Sequence, residues 1–236
     1  MKKFIVVLLL GGTVCVSVLY SAELRLLYLR GYYRYVKKET IEDSRKFAHA
    51  MYRDKKYEDL KEYLDDMLVL YPVDRDFLRL NGMCVLQTGN RLEGARMVIA
   101  TLAQGDDITS FQGVIEILFD AREYAELTDV FKKMDPSRDS YLSYVYGVSL
   151  YQRKEYGKAL KYLTIAERLG KRDIETYLYR GLACVHAGLP GEAVAVLERA
   201  YAIDPVRADV REALAGAYRA AKMYEKAALV MRRGIK

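Results

Sequence analysis

The sequence has little of what catalytic and metal-binding sites need. Its 236 residues include two histidines, three cysteines, four prolines and no tryptophan. The cysteines form no Cys-x-x-Cys pair, and His49 and His186 have no acidic or thiol partner at ligand spacing. Phosphate-binding loops, Gly-x-Ser-x-Gly and His-Glu-x-x-His motifs are also missing. We therefore predict that the protein is not an enzyme and needs no cofactor or metal.

The scarcity of proline and the distribution of charge further limit the possible fold classes and partners. Four prolines leave few helix breakers, and a composition of 52% apolar and 30% charged residues is typical of a globular chain. The formal charge of +6 is concentrated in residues 1–40, which have a net charge of +5 and leave +1 for the other 196 residues. A nucleic-acid binder needs a basic face on its folded part. We therefore expect helices and no nucleic-acid partner.

An uncharged segment of seventeen residues, 4–20, follows Lys2 and Lys3. It is longer than the apolar region of most signal peptides and just long enough to cross a bilayer. A cut after Ala22 would place Tyr20 where signal peptidase prefers a small residue, and the residues before Cys15 do not suit a lipoprotein. We predict a signal-anchor or transmembrane helix within residues 1–22. A cleaved signal peptide remains an alternative.

The next segment, residues 23–40, is basic and rich in tyrosine. This composition suits the headgroup zone of a membrane, although a solvated basic helix would also fit. We predict a single-pass membrane-anchored protein whose repeat domain is exported to the periplasm. A cytoplasmic orientation stays open, because the positive-inside rule taken literally favours it.

A period of thirty-four residues organises the rest of the chain. Ala159, Ala193 and Ala227 are separated by this interval, and so are Gly147 and Gly181. The period predicts six units, near residues 41–74, 75–107, 108–139, 140–173, 174–207 and 208–236. In each unit two amphipathic helices would approach closely at small residues, and neighbouring units would stack into one core.

These small residues, together with aromatic residues and prolines in register, resemble the tetratricopeptide repeat family over residues 41–236. The resemblance implies an all-α, right-handed α-solenoid of about six helix-turn-helix repeats after the N-terminal helix. Two departures are that Leu60 and Gly94 replace the alanine of the second helix in the first two units. The unit at 108–139 is also short and irregular.

In this family the first helices line a groove that binds peptides. Helical spacing assigns nine residues to this groove: Arg45, His49, Tyr52, Arg79, Met83, Phe119, Tyr141, Tyr144 and Tyr151. The Lys/Asn set with which some members hold a peptide carboxylate is absent. The fourth and fifth units offer a tyrosine-rich strip instead, and aromatic side chains are favoured interface anchors. From the fifth unit, Leu178, Leu182 and Val185 also face this groove. The alternative is that several of these groove side chains, Leu182 and Val185 especially, fill the core between units.

The resemblance implies a scaffold that binds a protein or peptide partner. The chain is similar to bacterial membrane-anchored repeat proteins that assist envelope assembly or secretion. This resemblance implies no small-molecule substrate. The first hypothesis is a membrane-tethered module that recruits a partner reversibly through its groove. The second is a non-enzymatic subunit buried permanently in a larger membrane complex, which would keep its partner in high salt.

Overall fold

The computed structural model describes residues 4–10, 13–19, 29–33 and 40–232. The chain divides into two compact units, Met1–Thr101 and Leu102–Lys236. The first contains strands β1 (Phe4–Leu10) and β2 (Thr13–Leu19) and helices α1 (Ile41–Arg53), α2 (Tyr57–Leu70), α3 (Arg75–Thr88) and α4 (Arg91–Ala100).

The second unit begins with a 3₁₀ helix at Ile108–Phe111 and continues with eight α-helices in the described residues. These are α5 (Gln112–Asp120), α6 (Tyr124–Lys133), α7 (Ser140–Gln152), α8 (Tyr156–Arg168), α9 (Ile174–His186), α10 (Pro190–Ile203), α11 (Ala208–Ala220) and α12 (Tyr224–Arg232).

The N-terminal segment corrects the sequence analysis. The predicted transmembrane helix is an antiparallel strand pair, β1 with β2, in which Phe4 lies opposite Leu19 and Leu10 opposite Thr13. Half of the residues in these strands are Val, Ile or Thr, which favour strands over helices, and the sequence between them is Gly-Gly, a hairpin signal. Among the described residues, no helix combines the length and apolarity needed to cross a bilayer. The prediction of a single-pass, membrane-anchored localisation is therefore wrong.

Most of the basic, tyrosine-rich segment 23–40 lies outside the described residues. Within it, residues 29–31 are helical and Leu29 is buried. The ring of Tyr33 lies edge-on to that of Tyr63 on α2, with 6.2 Å between the ring centroids. Tyr33 therefore belongs to the aromatic packing of the first unit.

Several helices begin where a capping side chain satisfies free backbone N–H groups. Thr40 forms a capping box with Asp43 at the start of α1, and Asp74, Asp139 and Asp173 cap α3, α7 and α9. Pro190 begins α10, a position where its missing N–H removes no helical hydrogen bond.

The turns inside the helix pairs share one backbone feature. A residue with φ near +60° lies between the two helices of four pairs: Lys55, Arg122, Lys154 and Lys222. Gly188 has the corresponding place between α9 and α10, with φ of 75°. The left-handed conformation ends the first helix and reverses the chain.

Small residues allow the two helices of a pair to approach closely in both units. A Cβ added to Gly147 on α7 would lie 2.7 Å from Leu163 Cγ on α8, and one added to Gly181 on α9 would lie 2.3 Å from Leu197 Cγ on α10. Pairs also stack on the next pair within each unit, as in an α-solenoid. The all-α prediction is thus confirmed for residues 40–232.

A partly buried ion-pair network joins three successive helices of the second unit. Glu167 on α8 forms salt bridges with Arg180 on α9 and with Arg199 on α10, whose Nη1 lies 2.7 Å from Glu167 Oε1. The Glu167 side chain is only 13% exposed. Both oxygens of the carboxylate are therefore engaged by neighbouring helices.

Ala193 provides a test of how tightly the second unit is packed. It is fully buried on α10 in a core that includes Tyr177 and Cys184 of α9. Ala193→Leu should overpack this core and lower the free energy of unfolding by about 1–3 kcal/mol. Lys161→Ala, at an exposed position on α8, is the control and should stay within about 0.5 kcal/mol of the wild type in urea denaturation. Equal losses from the two changes would contradict this packing.

Candidate peptide-binding surface

Aromatic rings contact one another along the first helices of three successive pairs in the second unit and at the starts of the second helices α6 and α8. The first helices, α5, α7 and α9, contact one another in order. We call this surface the aromatic ladder and define it by seven rings: Phe119, Tyr124, Tyr144, Tyr151, Tyr156, Tyr179 and His186. Each ring centroid lies within 6.4 Å of another in the set. The ladder therefore connects three repeats through ring contacts.

Tyr179 on α9 lies at the centre of the ladder. Its ring packs edge-on against Tyr144 at 6.4 Å and Tyr151 at 5.7 Å, measured between centroids. The side chain is half-buried, and this burial raises the pKa of its phenol. The sequence analysis did not assign Tyr179 to the groove, although Tyr179 follows Tyr144 by thirty-five residues, one more than the repeat period.

Tyr144, assigned to the groove from sequence, is a buried part of the ladder. Its side chain is 6% exposed, and it packs against Phe119 of α5 with 5.9 Å between centroids. Burial raises the pKa of its phenol strongly. The ammonium of Lys171 lies 4.6 Å from the ring centroid, at cation–π distance. Tyr144 is therefore mainly a packing residue of the ladder and contributes little to its solvent-exposed surface.

The more accessible end of the ladder is formed by Tyr151, Tyr156 and His186. Tyr151, also assigned from sequence, is half-buried and lies 5.6 Å from Tyr156 and 5.8 Å from His186. The exposed His186 stacks on Tyr156 with 4.6 Å between centroids and 13° between the ring planes. These rings offer flat faces and edges to a ligand.

Tyr141 lies one turn before Tyr144 on α7 and is also half-buried. Burial raises the pKa of its phenol to about 12, and the charges of Glu116 and Asp120 on α5 contribute to the shift. Phe119, from the same helix, is half-buried. The structure thus brings four of the nine sequence-assigned residues, Phe119, Tyr141, Tyr144 and Tyr151, onto neighbouring helices.

The other five sequence-assigned residues lie in the first unit. Arg45 on α1 holds the start of α3, because its Nη2 donates to Asp74 Oδ2 at 2.6 Å. Asp74 is itself buried and accepts hydrogen bonds from the backbone N–H groups of Asp76 and Phe77. Burial raises the pKa of the Asp74 carboxyl, but the hydrogen bond from Arg45 and those from the backbone outweigh it, and the net pKa is lowered.

A shallow cavity of about 390 Å³ lies beside Arg45, and the exposed His49 lines it together with Lys46 and Arg53. Arg79 Nε donates to Thr101 Oγ1 at 3.1 Å. Tyr52 is half-buried against Tyr57, with 5.5 Å between the ring centroids, and Met83 is also half-buried. In this unit, Arg45, Arg79 and Tyr52 have packing roles, and His49 faces solvent.

The two residues that the sequence analysis offered as core alternatives pack against the core of the second unit. Leu182 and Val185 on α9 are partly buried against the cluster that includes Val210 and Leu214. Within residues 29–33 and 40–232, no three His, Cys, Asp or Glu side chains come together in a group that could hold a metal ion. Among the described ring contacts of the second unit, the seven rings of the ladder form the largest connected set.

Helix pairs of this length, closed at small residues thirty-four positions apart and stacked pair on pair, define the tetratricopeptide class of helical repeat. The sequence resemblance to that family is confirmed at the level of fold. Proteins built from such repeats bind other proteins through extended surfaces.

Comparison with known proteins gives no family model and no curated protein that matches this chain. Among solved structures, MamA from Desulfovibrio magneticus RS-1 is similar, with a TM-score of 0.42 and 18% identity, over 82% of this chain and 92% of that one. MamA AMB-1 is also similar, with a TM-score of 0.39 and 16% identity, over 90% of this chain and 91% of that one. YrrB, described as a TPR protein with an unusual peptide-binding site, has a TM-score of 0.40 and 18% identity, over 88% and 90%.

Proposed function

We propose that this protein is a non-enzymatic interaction scaffold that binds a peptide segment of a partner protein across the aromatic ladder. The observation that carries the proposal is the run of ring contacts through α5, α7 and α9, which ends in the accessible rings Tyr151, Tyr156 and His186. Rigid aromatic side chains lose little conformational entropy on binding and bury a large area. Such surfaces favour a segment with apolar or aromatic anchors.

Neither membrane tethering nor an envelope role is part of this proposal. Both depended on a transmembrane helix, and residues Phe4–Leu10 and Thr13–Leu19 form strands instead. The nine residues assigned from sequence divide between the two units, and the proposal uses only those of the second. Tyr179 joins them because its half-buried ring touches both Tyr144 and Tyr151.

The test measures peptide binding by the full-length chain. Peptides are selected on it from a randomised display library, synthesised with a fluorescein label and titrated by fluorescence anisotropy. We expect Tyr151→Ala and Tyr179→Ala each to weaken binding about thirtyfold, or about 2 kcal/mol, because interface hot spots are concentrated in aromatic anchors.

Tyr224→Ala is the matched control, because Tyr224 is 65% exposed on α12 and lies outside the ladder. It should leave the dissociation constant unchanged. Circular dichroism of each variant separates lost binding from lost folding. Selection of no peptide, or unchanged binding by folded Tyr151→Ala and Tyr179→Ala variants, would contradict the proposal.

A further inference from the structure

Two acidic side chains lie beside the aromatic ladder on α5. On α5, Glu116 and Asp120 are separated by four residues, so they lie on one face of the helix, next to Phe119. Phe119 in turn contacts Tyr144 of α7, one helical turn from Tyr141. Both carboxylates are exposed, and their charges reach the phenol of Tyr141. The ladder therefore has an acidic edge on the side where Tyr141 lies.

The other acidic groups beside the ladder already have cationic partners. Asp173 accepts a hydrogen bond from Lys171 Nζ at 2.5 Å, and Glu175 accepts one from Arg207 Nη1 at 2.6 Å. Within the described part of the chain, neither Glu116 nor Asp120 forms an ion pair. These two carboxylates are therefore available to a positive charge supplied by a ligand.

The nearby cations show how a positive group is accommodated here. Lys171 Nζ lies 4.6 Å from the centroid of Tyr144 and 5.9 Å from that of Tyr141, so these rings already take part in cation–π contacts. Burial raises the pKa of the Tyr179 phenol, and the charge of Arg122, in the turn between α5 and α6, offsets part of this shift. The carboxylates of Glu116 and Asp120 thus lie on the Tyr141 side of the ladder, where the rings already accept a cation–π contact.

We infer that the partner segment is basic as well as aromatic, and that an arginine or lysine of this segment lies between Tyr141 and the carboxylates of Glu116 and Asp120. This inference rests on the proposed function, because it specifies the ligand of the same ladder. A guanidinium group stacks on a tyrosine face and donates to a carboxylate at the same time, which makes arginine the best match. The acidic edge also selects against acidic segments through like-charge repulsion.

The first test is the composition of peptides selected on the full-length chain from a randomised library. We expect enrichment of arginine and lysine beside the aromatic anchors. The second test uses one selected peptide and its citrulline version, in which an uncharged group of the same shape replaces arginine. The arginine peptide should bind wild type about tenfold more tightly, because a charge-assisted contact is worth about a factor of ten.

A double variant, Glu116→Gln with Asp120→Asn, should reduce this tenfold difference to less than about twofold. Glu192→Gln, at an exposed position on α10 outside the ladder, is the matched control and should preserve the difference. The citrulline comparison on wild type does not depend on how the double variant folds. Melting curves of both variants provide a check of their folding.

The outcomes distinguish this inference from the proposed function. Equal binding of the arginine and citrulline peptides, with Tyr179→Ala still weakening both, would overturn the basic partner and keep the ladder as a binding surface. Selected peptides without basic residues would do the same. Binding that is insensitive to Tyr151→Ala and Tyr179→Ala would overturn both.

Discussion

Replacing Tyr144 with alanine is expected to lower the free energy of unfolding by about 3–5 kcal/mol, as for other large buried aromatic side chains. The ring is 6% exposed and contacts the rings of Phe119 and Tyr179 as well as the ammonium of Lys171. Its removal leaves a cavity among three helices, because α5, α7 and α9 all supply neighbours. Chemical denaturation followed by circular dichroism measures the loss.

Tyr144→Phe is the matched control for this prediction. The hydroxyl of Tyr144 has no hydrogen-bond partner in the described part of the protein, so its removal should cost less than about 1 kcal/mol. A Tyr144→Ala variant with wild-type stability and weakened peptide binding would contradict the buried role. The ring would then act at the interface, as the sequence analysis supposed.

Gly94→Ala is the second substitution with a large expected effect. An added Cβ would lie 2.5 Å from the backbone nitrogen of Leu86 and 2.7 Å from the carbonyl oxygen of Gly82, so α4 would have to move away from α3. A clash with backbone atoms cannot be relieved by a change of rotamer, as a clash with a flexible side chain can. We expect the free energy of unfolding to fall by about 3 kcal/mol. This loss exceeds the gain of about 1 kcal/mol that alanine's higher helix propensity gives over glycine.

Gly216→Ala is the control, because Gly216 lies inside α11 and an added Cβ would meet no atom within 4 Å. Here only the propensity acts, and the variant should be about 0.5–1 kcal/mol more stable than wild type. If the α3–α4 contact is as close as described, urea denaturation should show a lower free energy of unfolding for Gly94→Ala and a higher one for Gly216→Ala. The same sign for both would contradict it.

The repeat fold could be predicted because small residues recur at fixed intervals wherever two helices pack closely. Gly147, Gly181 and Ala193 are positions where nothing larger fits, so their spacing records where helices touch. Proline and capping aspartates mark the ends of helices for an equally local reason. Such signals repeat in register, and their agreement over several units makes them reliable.

Two parts of the structure could not be predicted from the sequence. The segment 4–20 is uncharged, and hydropathy alone does not distinguish a spanning helix from paired strands; the Gly11–Gly12 dipeptide and the many valines were the better signals. Helix α7 is buried without interruption from Leu142 to Leu150. A helix that is buried on all sides has no polar face to orient it, so the periodicity could not separate the buried Tyr144 from the more accessible Tyr151.

Glu167 has a consequence for how the chain unfolds. In a linear array each helix contacts mainly its neighbours, so the array can open from an end one pair at a time. The carboxylate of Glu167 links α8 to both α9 and α10, so any opening that separates one of these helices leaves a half-buried charge without one of its partners. The ion pairs of Glu167 therefore favour the joint opening of these three helices over the loss of any one of them.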